Sequence, residues 1–212
     1  MERYIPLSLG GFRLRAYDPT VLEVSAPTSR RSDARRNRET VIDAAIGLLN
    51  LRPDASMAEI AAESGLARTT VYRHFPNRED LLIALFGRVI EDSRVATDAL
   101  TAEARSAEDL LRKLAPRMIE IGLRYRFLHS YRHVGQPALD DSKQVPDDPV
   151  RVYLSAAQER GEVNPDLPPQ WIASTIQALA IAALDDLYAG FADEATASRL
   201  LGETLVAALI MR

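Results

Sequence analysis

The densest set of side chains able to do chemistry is a short one, Arg68-Thr69-Thr70-Val71-Tyr72-Arg73-His74. All but Val71 carry an N–H or O–H donor, and no carboxylate interrupts them. Such a run suits an anionic partner rich in hydrogen-bond acceptors. It does not suit bond breaking, because no nucleophile is paired with a base at a readable spacing. A second candidate is His129 with His133, four residues apart and so on one helix face, a spacing that can bind a metal. No cysteine and no carboxylate-rich partner helix supports that reading. Polar or pocket-lining histidines are favoured instead, and no metal, cofactor or catalytic residue is assigned. A small helical enzyme stays as the disfavoured alternative.

The elements that must position the Arg68–His74 run are legible on both sides of it. Ser56 and Glu59 form an S-x-x-E capping box, the start signal of a helix carrying Ile60 and Ala61 inward. Gly65 can take the left-handed conformation that closes this helix. A short helix follows from about Ala67 to His74, with Ala67, Val71 and Phe75 as its apolar stripe. A helix this short is not stable by its own propensity, so it needs packing on one face and a reason to be polar on the other. Asn77 caps a long fourth helix, with Glu79 and Asp80 in its first turn and Leu81, Leu82, Leu85 and Phe86 continuing it to about Thr97. Helix, glycine turn and short polar helix is the helix-turn-helix plan.

The rest of the chain reads as helical support. A first helix is expected from about Asp33 to Leu51, before Pro53. Residues 1–30 form an extension, a mobile arm or a hairpin around Gly10-Gly11. Ser106 opens a helix that Pro116 should kink or divide. Tyr125 to Val134 reads as helical and aromatic-rich, and Gly135 to Asp147 as a long loop. Asp148-Pro149, Pro168-Pro169 and Asp193 open three more helices. The chain is therefore expected to be all-α, with an extension over 1–30, a helix-turn-helix domain over 31–78 and a larger helical domain over 79–212.

Composition agrees with a folded chain of this size: 212 residues at 47% hydrophobic can bury a real core. The net charge of −4 rules out a uniformly basic surface, yet five arginines between Arg30 and Arg38 stand against Asp33 alone. No cysteine is present, which suits a reducing cytosol. The longest apolar run, Ala178 to Leu184, is too short to span a bilayer, and no apolar leader segment is visible near the N-terminus. A cytoplasmic protein is expected.

Between Ser56 and Asp80 the sequence resembles the TetR family of transcriptional regulators. The resemblance is carried by Ser56, Ile60-Ala61, Ser64-Gly65-Leu66, Thr70-Val71-Tyr72, His74-Phe75, Asn77 and Glu79 with Leu81. It departs at Ala67, where a hydroxyl cap is common, and at Arg78, where lysine is usual. The resemblance implies that Arg68 and Thr69 reach base edges, with Thr70 at a thymine methyl or a phosphate. It implies that Ser56, Tyr72, His74 and Arg78 hold phosphates. A homodimer on a near-palindromic double-stranded operator follows.

In the family the second domain generally encloses a small-molecule effector pocket, so the resemblance also makes aromatic residues of 79–212 pocket candidates. These are Phe86, Tyr125, Phe127 and Tyr131, with Tyr153, Trp171 and the histidines His129 and His133. The last two helices are apolar over broad faces, and a partner copy is expected to cover Ile172, Ile176 and Leu179 on one and Leu201, Leu205 and Leu209 on the other. The alternative is a helix-turn-helix module for architecture or assembly with no effector, which predicts a filled core between residues 81 and 170.

Overall fold

Residues 27–131 and 148–211 are described by the computed structural model of the chain. The helices are α1 (Pro27–Leu51), α2 (Met57–Glu63), α3 (Arg68–His74), α4 (Arg78–Glu103) and α5 (Ala107–Arg124). A 3-10 helix, η1 (Arg126–Tyr131), follows α5, and then come α6 (Pro149–Glu159), α7 (Pro169–Tyr188) and α8 (Glu194–Leu209). Among the described residues the only extended pairing is a single antiparallel bridge, Val163 to Ile210. No described helix is long and apolar enough to cross a membrane. The hairpin expected around Gly10-Gly11, the loop 135–147 and His133 lie outside the described residues.

The start signals act as the sequence predicts. The Ser56 hydroxyl accepts the Glu59 backbone N–H at 3.3 Å, and the Glu59 carboxylate accepts the Ser56 N–H at 2.7 Å. Gly65 adopts φ +68°, allowing the chain to reverse between α2 and α3. Asn77 Oδ1 accepts the Asp80 N–H at 2.8 Å and opens α4. α3 begins with Ala67 as its N-cap and no side-chain cap bond. It is held instead by Val71 and Phe75, which are 0% and 2% exposed. Burying each contributes roughly 1.5–3 kcal/mol, enough to fix a seven-residue helix that could not form alone. Ala67, expected on the apolar stripe, is exposed instead.

Several boundaries differ from expectation. α1 starts earlier than Asp33, at Pro27, a residue whose fixed φ and missing N–H suit a first helical position. α4 runs past Thr97 to Glu103. The aromatic stretch after Arg124 is not one helix: Tyr125 caps α5 and η1 turns more tightly. Pro116 does not divide α5, which is continuous across it. The carbonyl that Pro116 deprives of its intrahelical donor is that of Arg112. α8 packs here through Gly202, where a Cβ would stand 3.7 Å from Arg112 Cα and 4.0 Å from Arg112 O. The α5–α8 contact is thus built over the weakened turn.

Two apolar cores result. One joins α1, α2, α3 and the start of α4 through Ile42, Leu49, Ile60, Phe75, Leu81 and Leu85. It also takes in Tyr125, Phe127 and Leu128, so packing crosses the boundary expected at residue 78. The other joins α5, α6, α7 and α8 around Leu110, Leu111, Leu154 and Leu205.

The Glu59 carboxyl is held down to about 2 by the Ser56 backbone N–H, then by the Ser56 hydroxyl and the Arg52 guanidinium. A depressed carboxyl pKa stabilises the fold above the ordinary value of 4.5 and loses that contribution as pH falls toward 2. Glu59→Gln keeps an acceptor for the capping box but removes the titration. Calorimetric melting temperatures should therefore fall less steeply for this variant than for the wild type over that acid window, and parallel slopes would contradict the assignment. Ser56→Ala should cost about 1 kcal/mol at neutral pH.

Candidate nucleic-acid interface and effector cavity

α3 turns Val71 into the core, and the same helical geometry turns Arg68, Thr69, Tyr72 and Arg73 to solvent. Tyr72 is 43% exposed, high for a tyrosine with a core beside it. Thr70 is half-buried at the edge of this face, and Ser56 is exposed at the start of α2. α1 meets the far end of α3 where the Arg38 guanidinium stacks 5.3 Å from the Phe75 ring. Arg31, Arg35 and Arg36 lie exposed on the preceding turns. Arginines of α1 and α3 are thus exposed on the head, and their side chains can grip phosphate oxygens or a guanine edge. Arg73 belongs to the polar run read from the sequence, but the resemblance assigns it no contact of its own. Its signal was available, since it is the one further cation on the α3 polar face.

Two expected phosphate contacts are placed differently. Arg78 points inward: its guanidinium donates to the Ala55 carbonyl, to the Pro53 carbonyl at 2.7 Å and to the Tyr131 hydroxyl at 3.0 Å. It also stacks 5.4 Å from the Tyr131 ring. Here the planar fork of the guanidinium binds the α1–α2 loop to η1 rather than a phosphate. His74 is likewise turned in, with Nε2 buried and without a hydrogen-bond partner among the described residues. Burial, then Arg73 and Arg38, lower its pKa, so it is neutral at pH 7 and a poor phosphate ligand.

Around Arg78 lies a polar junction. Tyr131 donates its hydroxyl to the Pro53 carbonyl at 2.7 Å. The Asn50 side chain donates to the Arg124 carbonyl at 2.8 Å and accepts the Phe127 N–H at 3.2 Å. On α4, Arg88 bridges Glu39 at 2.6 Å and Asp92 at 3.0 Å, and Asp92 also accepts the Tyr125 hydroxyl at 2.6 Å. Burial and Asp92 push Tyr125 up to about 12, so it remains a donor.

Beyond this junction a cavity of about 370 Å³ lies between α4, α5, α6 and α7. A smaller one, about 130 Å³, lies nearer the head. Leu184 borders both. Its side chain fills the notch left by Gly122, where a Cβ would come within 2.4 Å of Leu184 Cδ2. The Tyr188 hydroxyl donates to the Gly122 carbonyl at 2.7 Å and fixes α7 against α5 at the same point. Of the expected pocket residues, Phe86, Tyr125 and His129 border the smaller cavity. His129 Nδ1 lies 3.1 Å from Asp185 Oδ1 there. The remaining expectations are corrected. Phe127 is buried in the head's core, Tyr131 belongs to the junction, and Tyr153 donates to the Ala104 carbonyl at 3.3 Å. Trp171 is 61% exposed on the outer side of α7. Sequence reasoning looked for aromatics and missed the larger cavity because its aliphatic walls have the pattern of an ordinary core. Gly122 inside a helical pattern was the available hint.

The expected dimer residues also need correction. Ile172, Ile176, Leu201, Leu205 and Leu209 are buried within the chain, and Leu179 is partly buried. They face α5 and α6, because a helix in a bundle turns its largest apolar residues to its own core. The outer side of α7 carries Trp171, Ala178 and Ala182, and that of α8 carries Leu200, Thr204 and Ala208, with Met211 exposed beyond its end.

Residues 41–85 match the sequence profile of the bacterial regulatory proteins of the tetR family. The HTH-type transcriptional repressor LfrR of Mycolicibacterium smegmatis is 28% identical over 157 residues, covering 74% of this chain and 82% of LfrR. The crystal structure of LfrR in complex with proflavine superposes with a TM-score of 0.63 at 24% identity, over 86% of this chain and 99% of that one. The fatty acid degradation regulator FadR of Bacillus halodurans shares the fold with a TM-score of 0.67 at 18% identity, over 80% of this chain and 94% of that one. With the capped helix-turn-helix and the exposed face of α3 in place, residues 41–85 form a DNA-binding segment of the tetR-family type, and the chain as a whole shares the fold of these transcriptional regulators.

Proposed function

We propose that the protein is a cytoplasmic repressor that binds a near-palindromic DNA operator as a homodimer and leaves it when a small molecule fills the cavity. The observation that carries the reading is α3: a seven-residue helix anchored by Val71 and Phe75 that exposes Arg68, Thr69, Tyr72 and Arg73. Arg68 and Thr69, at its N-terminal end, are the base-edge readers. Tyr72, Arg73, Ser56 and the α1 arginines follow the backbone and set register. Two such heads meet successive major grooves about 34–36 Å apart. LfrR is a repressor by name and was crystallised with proflavine, which supports both repression and small-molecule control here.

Dimerisation is assigned to the outer sides of α7 and α8, opposite the faces the hydrophobic pattern suggested. Their small residues let a second copy approach closely, with Trp171 and Met211 at the margins. Control follows from linkage: a ligand preferring a head spacing unsuited to DNA weakens operator binding by its differential affinity. The junction of Arg78, Tyr131 and Asn50 joins this domain to the head, so α4 shares the transmission with η1. The cavity also weighs against an architectural module, for which a filled core was expected.

Selection of bound DNA from a random pool by purified protein should return a near-palindrome, with affinity falling steeply as salt rises. Arg68→Ala should lose about 1–3 kcal/mol at one base position per half-site. Arg73→Ala should weaken all sequences alike, and equal profiles for the two variants would overturn the division of roles. Sedimentation should give a dimer that Ala182→Arg splits while the helix content by circular dichroism is kept. Leu205→Ala, by contrast, should destabilise the fold by about 2–5 kcal/mol.

A further inference from the structure

The larger cavity has walls of a particular kind. Val89 and Ile90 on α4, Ile121 on α5, Leu154 on α6 and Ile176 on α7 are representative, and among the described residues no aromatic side chain borders it. A planar aromatic ligand therefore finds no ring to stack on, and a cation no ring face to sit over. The charged residues at its border are Arg94, Arg117 and Arg151 against Asp148. Asp148 already accepts the Arg151 backbone N–H at 2.8 Å as the N-cap of α6. The border thus favours no positive charge.

One polar atom marks a point of recognition. Gln177 Oε1, on the α7 side of the cavity, is buried and has no hydrogen-bond partner among the described residues. An amide oxygen shut away from water without a donor is unfavourable, so a ligand O–H or N–H reaching it gains more than the same bond would give at the surface. At the roughly 30 Å³ that a water-sized group occupies, the space holds about a dozen non-hydrogen atoms. Leu184, seated on Gly122, stands with Val89, Ile121 and Ile181 between it and the smaller cavity and limits the length.

The geometry points to an uncharged aliphatic molecule of about that size, carrying one hydroxyl or amide N–H that donates to Gln177, as the ligand of this cavity. This rests on the cavity being the effector site, but its chemistry can be tested without DNA. Titration calorimetry of the full chain with 1-decanol, decylamine and the planar cation acridine orange separates the classes. Decanol should bind with 1:1 stoichiometry, decylamine at least tenfold more weakly, and acridine orange not at all. Gln177→Leu should weaken decanol roughly fivefold to tenfold while leaving the melting temperature of the free protein unchanged or raised. Ala173→Phe, which fills the cavity, should abolish the binding. Preferred binding of either cation, or decanol binding indifferent to both substitutions, overturns the assignment. A parallel measurement of operator affinity by fluorescence anisotropy keeps the two readings apart. Decanol that binds through Gln177 yet leaves the operator in place would refute effector control while the ligand chemistry stands. An operator-binding protein that ignores decanol would do the reverse.

Discussion

The Arg78 guanidinium is the contact on which the arrangement of the molecule depends. It collects the carbonyls of Pro53 and Ala55 and the hydroxyl of Tyr131, groups from the α1–α2 loop and from η1 that are distant in sequence. Carbonyls in a loop between two helices have no ladder to bond to, and in a half-buried place they need a donor. One cation with several fixed donors satisfies them together and sets the angle at which α4 leaves the head. The shared core of Phe75, Leu85 and Phe127 then fills the space beneath. Removal of the cation would leave acceptors, not merely a gap.

Packing around this joint also crosses residue 78, where the composition changes. The head's apolar core includes η1, and the Glu39–Arg88–Asp92–Tyr125 chain passes from α1 through α4 to the end of α5. A displacement of α5 or η1 is felt at α1 through charge-assisted bonds. Such bonds are stiff and directional, whereas aliphatic contacts along α7 permit sliding. Charge-assisted bonds thus gather near the helix-turn-helix and aliphatic contacts around the cavity.

The head was largely legible in the sequence because its signals are local. A capping box, a glycine turn and an asparagine cap act within a few residues, and each appears where its spacing places it. Arg78 and His74 were misread because direction is a tertiary property: a cation near a candidate interface looks the same whether it points outward or closes a loop. The cavity was illegible for another reason. Val89, Ile121 and Ile176 have the periodicity of core residues, and an empty space has no letters of its own. The inner sides of α7 and α8 read as a dimer face because their large apolar residues, Ile172, Ile176, Leu201, Leu205 and Leu209, look the same whether they cover a partner or the chain's own core.

The Gly122–Leu184 contact has an evolutionary side. Val89, Ile121 and Ile181 also border both cavities, but the seat of Leu184 on Gly122 is a part of the partition that single substitutions can alter in either direction. A methyl group at position 122 would drive the leucine aside, while trimming position 184 would add space at the border of the two cavities. Neither change touches α3 or the joint at Arg78. On the proposed function, ligand preference and operator preference can therefore drift independently.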